Sequence, residues 1–203
     1  MKKASIAGLV SGGGTNLGAL LEAEKNGILT HGEIKLVISN KEGVYALERA
    51  AAYGVRSAVV TKKACGSQEA FEAAVQALLE EEKIDLVILA GFLAILSEDF
   101  TKKWPNRIIN VHPSLIPAFC GKGYYGLKVH EEALKRGVKL TGATVHFVNE
   151  IPDGGAIILQ KAVAVEPGDT PEVLQRRVME QAEWILLPQA ADLVSGQIVE
   201  EKA

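Results

Sequence analysis

The sequence predicts an α/β fold: a three-layer, mostly parallel, Rossmann-like sheet with helices on both faces, completed by a C-terminal antiparallel hairpin and a long helix. Three observations predict it. Apolar runs of strand length alternate with helix-period segments through residues 4–113. Glycines gather at 12–14, where the first apolar run gives way to the first helical one. Past residue 142, two strand-like runs follow one another with only "IPDG" between them.

Each element has its own signal. "ASIAGLV" (4–10) is a short apolar run that ends in glycines. Segment 16–27 carries Leu17, Leu20 and Leu21 at helical spacing, with Asn26-Gly27 as a stop. "IKLVISN" (34–40) is a second strand, 44–54 a helix with Gly54 past its end, and "SAVVT" (57–61) a third strand. Segment 67–83 places Phe71, Val75, Leu78 and Leu79 on one face, with Ser67 as N-cap. "IDLVILAGF" (84–92) is the most apolar run and is expected at the sheet centre, buried on both faces. "RIINVHP" (107–113) is the fifth strand. Strands alternating with helices imply parallel pairing through right-handed crossovers. Segments 142–150 and 155–165 are too close for that, because a parallel crossover needs about a dozen residues. They must form an antiparallel hairpin. Residues 169–196 then read as helix, with Thr170 as N-cap, Pro171 at the first helical position, and Pro188 bending or ending it.

Composition narrows the function classes. Twenty-two basic and 25 acidic residues give a net charge of −3, so the basic excess suited to nucleic acid is missing. A local basic pocket for one phosphate is compatible with that balance. Cys65 and Cys120 have no C-x-x-C spacing, which predicts neither a disulfide scaffold nor a structural zinc. The opening "MKKASIAGLV" has the lysines of a signal peptide but runs into "SGGGTN" rather than a cleavage site. No apolar run approaches the ~18 residues of a membrane span. A cytoplasmic protein without membrane contact is the expectation.

"SGGGTN" (11–16) stands between the first strand and the first helix. Glycines there let backbone amides turn toward a ligand, and the helix start adds about half a positive charge. The string has neither the lysine of a P-loop nor a full G-x-G-x-x-G, so a single phosphate suits it better than a dinucleotide. The alternative is a tight strand–helix turn capped by Asn16.

"NVHPSLIPAF" (110–119) puts Asn110 and His112 at the carboxyl end of a parallel strand, where open α/β sheets bind ligands. Side-chain alternation turns both to one side and sends Val111 into the sheet. In the hairpin, Thr144, His146 and Val148 share a face opposite Val145 and Phe147. His146 reads as a supporting residue. Asp153 sits in the turn pair Asp153-Gly154; its functional reading is a carboxylate that pairs with His112 and raises its pKa. A metal held by His112, His146 and Asp153 lacks the usual ligand spacing, and no metal is expected. An Asn, a His and an Asp without an activated nucleophile suit an oxyanion better than covalent catalysis.

"SGGGTN", "LAGFLAIL", "INVHPSLIPAF", "TGATVHFVNEIPDGGAIILQ" and "QAEWILLP" resemble, in order, the motifs of the phosphoribosylglycinamide formyltransferase family, over nearly the whole chain. That resemblance implies one formyltransferase domain over 1–203, with a phosphate-binding Rossmann-like half (1–105) and a catalytic and folate-binding half (106–203). It implies formyl transfer from the co-substrate 10-formyltetrahydrofolate to the amine of glycinamide ribonucleotide, in purine (IMP) synthesis. Catalysis would fall to Asn110, His112 and Asp153. Gly14, Thr15, Asn16 and Glu183 would hold the acceptor. Gln68, Phe92, Leu93, Ala94, Ile95, Leu96, Val148 and Asn149 would line the folate. Departures from the family pattern are Ala94 where an Arg is frequent, Gln68 where some members are basic, and a longer, less proline-bearing segment at 118–130.

Two related activities and one unrelated role compete. Formyltetrahydrofolate deformylase would use the same Asn, His and Asp with water as acceptor, but normally carries an extra N-terminal domain. Transfer to a tRNA would need a C-terminal lobe and a basic surface. A non-catalytic phosphosugar-binding module would have no need for all three of Asn110, His112 and Asp153. Small molecules are the expected partners, with no nucleic acid or membrane, in a monomer or homodimer.

Overall fold

A computed structural model describes residues 2–203. The apolar runs become seven strands of one sheet: β1 (Ala4–Val10), β2 (Gly32–Ser39), β3 (Arg56–Val59), β4 (Leu86–Leu89), β5 (Ile108–His112), β6 (Leu140–Phe147) and β7 (Ile157–Ala164). Their spatial order is β3-β2-β1-β4-β5-β6-β7. The first five are parallel; β6 and β7 are antiparallel additions. β4 lies at the centre with every residue buried, as its unbroken apolar run requires.

The helices are α1 (Thr15–Lys25), α2 (Tyr45–Ala52), α3 (Lys62–Cys65), α4 (Gln68–Glu81), α5 (Glu98–Lys102), α6 (Leu127–Arg136), α7 (Pro171–Val178) and α8 (Trp184–Glu201). A wide π-turn, Met179–Glu183, joins the last two. Alternation along the strands divides the core between the two faces. Ile6, Ile88, Ile109 and Val111 pack with Leu17 and Leu20 of α1 and with Leu187 and Val194 of α8. Ala7, Leu9, Val87 and Ile108 pack with Phe71, Val75 and Leu79 of α4 on the other. Leu78 is only partly buried against that second layer.

The expected caps are in place. The Ser67 hydroxyl accepts from Ala70 N–H at 3.1 Å, and the Thr170 hydroxyl accepts from Val173 N–H at 3.4 Å. Three features differ from the sequence reading. Helices α3, α5 and α6 have no strong sequence signal, being short or mostly polar; only Val129, His130 and Ala133 of α6 are buried. The hairpin connection is longer than "IPDG", because β6 stops at Phe147 and β7 starts at Ile157, leaving 148–156 as a loop. Pro188 does not end its helix. It sits inside α8, where its missing N–H leaves one carbonyl bond unmade, and the irregularity falls upstream in the π-turn.

Candidate active site

The glycine loop is shaped by contact with α2. Gly14 has φ +68°, and a Cβ there would lie 2.6 Å from that of Ala46. Only glycine fits both the left-handed backbone and the space. Among the described residues, the amides of Gly14, Thr15 and Asn16 find no protein acceptor, as a helix start dictates. The Asn16 side chain donates to Glu183 across 2.9 Å, joining the glycine loop to the π-turn. Both side chains are buried. Burial pushes the Glu183 carboxyl up, opposed by the bond from Asn16.

At the end of β5, antiparallel register sets Asn110 opposite His146 and His112 opposite Thr144. Val111 goes to the core, as alternation predicts. Asp153 stands between the two histidines: Oδ2 is 3.5 Å from His112 Nδ1, and Oδ1 is 3.5 Å from His146 Nε2. Its carboxylate also accepts from Gly121 N–H at 2.8 Å. Burial raises the Asp153 pKa, but the bond from His146, the charge of His112 and the Gly121 amide outweigh it, and the net shift is downward.

The hydrogen bonds assign ring protons. His112 Nε2 is 2.8 Å from the Phe119 carbonyl, which can only accept, so Nε2 carries a proton. His146 Nδ1 is 2.7 Å from the Phe147 carbonyl and is a donor by the same logic. His146 Nε2 faces both Asn110 Nδ2 at 3.2 Å and Asp153 Oδ1 at 3.5 Å: without a proton it accepts from the Asn110 amide, and with one it donates to the carboxylate. The expected rise in the His112 pKa is not found. His112 is 4% exposed, and burial lowers its pKa more than Asp153 and the Phe119 carbonyl raise it; His146 lowers it further. A neutral ring protonated on Nε2 still presents a donor.

One cleft of about 680 Å³ brings the parts together. It is lined by residues 92–96, Val148, Asn149, Asn110, His112, His146, Asp153, Asn16 and Glu183. Gln68 stands outside it. Its amide donates to Glu72 at 2.7 Å and to the Ile95 carbonyl at 3.1 Å, bracing the 92–97 loop from behind. Buried Glu72 completes the brace by accepting from Ser97 N–H at 2.7 Å and from the Ser97 hydroxyl. Gly14 and Thr15 do not line the cleft.

Three contributors were missed from sequence. Thr144 is fully buried; its hydroxyl donates to the Ser114 carbonyl at 2.7 Å and accepts from Ile116 N–H at 3.1 Å and Gln160 Nε2 at 2.9 Å. It pins the loop that follows His112. The backbone of Phe119, with φ +50°, supplies the carbonyl to His112. His130, at the start of α6, is fully buried in the cleft wall, and neither ring nitrogen has a protein partner among the described residues. Burial holds its pKa down to about 4, helped by the charge of His112. Register opposite His112 was the available signal for Thr144; the other two depend on a loop path that no local pattern specifies.

The formyl transferase family matches residues 4–190. The chain belongs to that family, among its phosphoribosylglycinamide formyltransferases. It is 36% identical over 202 residues to the chloroplastic phosphoribosylglycinamide formyltransferase of Arabidopsis thaliana, covering 99% of this chain and 67% of that one. The trifunctional purine biosynthetic protein adenosine-3 of Gallus gallus is 46% identical over 98% of the chain, which spans only 19% of that protein's length. The glycinamide ribonucleotide transformylase 1 of Symbiobacterium toebii superposes with a TM-score of 0.89 at 41% identity, over 96% of this chain and 89% of that one. Among the described residues, no helix is long and apolar enough to cross a membrane.

Proposed function

We propose that this chain transfers the formyl group of 10-formyltetrahydrofolate to the amine of glycinamide ribonucleotide, giving formylglycinamide ribonucleotide and tetrahydrofolate. The observation that carries the reading is Asp153 set between His112 and His146, with Asn110 braced by His146, at the strand end facing the Asn16–Glu183 pair. The apolar stretch 92–96 and Val148 suit the flat pterin end of a folate, while Glu183 suits a ribose hydroxyl.

In this reading the acceptor's amine attacks the formyl carbon and a C–N bond forms. Negative charge develops on the formyl oxygen. That oxygen takes the place of the Phe119 carbonyl as acceptor for His112 Nε2–H and also meets the free N–H of Asn110. The proton shed by the attacking amine can rest on the way at the His112 nitrogen facing Asp153, where the growing negative charge favours it. Collapse breaks the bond to folate N10, and the proton lost by the amine passes to N10 through water, aided by Asp153. No metal takes part.

The domain division at residue 105, with phosphate held by the first half and chemistry by the second, belongs to the same reading. So do a cytoplasmic location suited to free Cys65 and Cys120, small-molecule partners without nucleic acid, and a monomer or homodimer. Incubation with 10-formyltetrahydrofolate, with and without glycinamide ribonucleotide, tests the core of it. Tetrahydrofolate should appear only when the acceptor is present. Release without acceptor would indicate a deformylase, and no release in either case a binding module.

A further inference from the structure

Arg49 lies on the α2 side of the glycine loop, away from the cleft, and is outside every set of residues assigned above. Its Nε donates to the Gly13 carbonyl at 2.9 Å. Its guanidinium is stacked 4.9 Å from the centre of the Tyr45 ring and packs against Gly18, where a Cβ would come within 3.1 Å of Nη1. The ring and the α1 backbone therefore hold the donor in place. A second bond, Ala46 N–H to the Gly12 carbonyl at 3.2 Å, ties the preceding peptide to the same helix.

Peptide geometry turns this contact into a statement about the ligand side. In a trans peptide the C=O and the next N–H point in opposite directions. A Gly13 carbonyl drawn toward α2 aims the Gly14 N–H away from α2, and that amide has no protein acceptor among the described residues. With glycine at 12, 13 and 14, this segment has little steric preference of its own, and the peptide could flip at small cost. Beside it, the Asn16 side chain is more than nine-tenths buried and lines the cleft, and its Oδ1 has no partner among the described residues. The unpartnered Oδ1 thus belongs to the residue that carries the loop into the cleft, two positions after the Gly14 amide.

We infer that Arg49 is a positioning residue for the acceptor's phosphate: it fixes the 13–14 peptide so that the Gly14 N–H is presented to the phosphate oxygens. The inference rests on the proposed phosphate role of the glycine loop. It makes the arginine's hydrogen bond the active feature and its charge incidental.

Two substitutions separate these contributions. In Arg49→Gln the amide nitrogen lies the same number of bonds from the backbone as arginine Nε, so the donor survives and the charge is lost. Arg49→Met removes both. Steady-state kinetics with glycinamide ribonucleotide should show a KM about tenfold higher or more for Arg49→Met. Its kcat and its KM for the folate donor should stay within about twofold of the parent. Arg49→Gln should remain close to the parent. The inhibition constant of inorganic phosphate, competing with the acceptor, should rise in Arg49→Met in step with KM. Equal impairment of both variants would show that charge matters and overturn the inference, as would unimpaired Arg49→Met. Failure of inorganic phosphate to compete even in the parent enzyme would instead remove the phosphate reading itself. Melting temperatures of both variants exclude general unfolding as the cause of a raised KM.

Discussion

At the scale of single residues, His112 and Thr144 have different tasks. In the proposed mechanism His112 supplies a donor to the developing oxyanion, so His112→Ala should lower kcat by about 10²–10³ with little change in acceptor affinity. Unchanged turnover would remove it from the mechanism. Thr144 never faces the reacting atoms; it holds Ser114 and Ile116 behind His112. Thr144→Val keeps the shape but strands buried partners, and should cost about 1–3 kcal/mol in urea denaturation. Asn110, His112 and Asp153 were legible because strand alternation and a turn pair expose such residues in one dimension. The direction of the His112 pKa was not, because it depends on how completely the ring is buried, and neighbours in space set that.

At the scale of elements, the brace from α4 to the 92–97 loop has a consequence for the donor. Glu72 and Gln68 fix the loop that forms the apolar wall of the cleft. Glu72→Ala should raise the KM for 10-formyltetrahydrofolate severalfold and leave the acceptor's KM unchanged; equal effects on both would refute a local role. The hairpin has a matching sensitivity. A Cβ on Gly155 would sit 1.8 Å from the Phe147 carbonyl, so Gly155→Ala must displace the strand end that leads into Asp153. Activity should fall more than the melting temperature suggests, because Asp153 moves with the loop. The parallel strands, the hairpin and the caps at Ser67 and Thr170 were readable from periodicity and short-range chemistry. The π-turn was not: Pro188 lies inside α8 without ending it, and the departure from α-helical pairing falls at 179–183, where no local pattern marks it.

For the whole molecule, acid should be the destabilising direction. His130 titrates near 4 when folded, against 6.5 as its ordinary value. The unfolded chain therefore binds this proton first as pH falls, and stability present above pH 6.5 is lost progressively down to about pH 4. His112, also lowered by burial, adds to the loss over the range below its ordinary value. Asp153, held low, contributes stability above the usual carboxylate range and loses it as pH falls through its folded pKa. Glu183 opposes them: its raised pKa means stability is lost as pH rises from 4.5 through its folded value. The His130 contribution alone is on the order of 3 kcal/mol. Urea midpoints measured from pH 7 to pH 4 should fall steeply in the parent and less so in His130→Leu, and parallel curves would contradict the assignment. The strand order carries one more consequence. β1 bears the glycine loop, β5 bears Asn110 and His112, and only β4 lies between them. With neighbouring strands about 4.8 Å apart, the two ends of the cleft are fixed about 10 Å from each other by backbone spacing alone. In the proposed reading the sheet is thus a ruler: it sets the span between the acceptor's anionic end and its amine, and no side-chain substitution can rescale it.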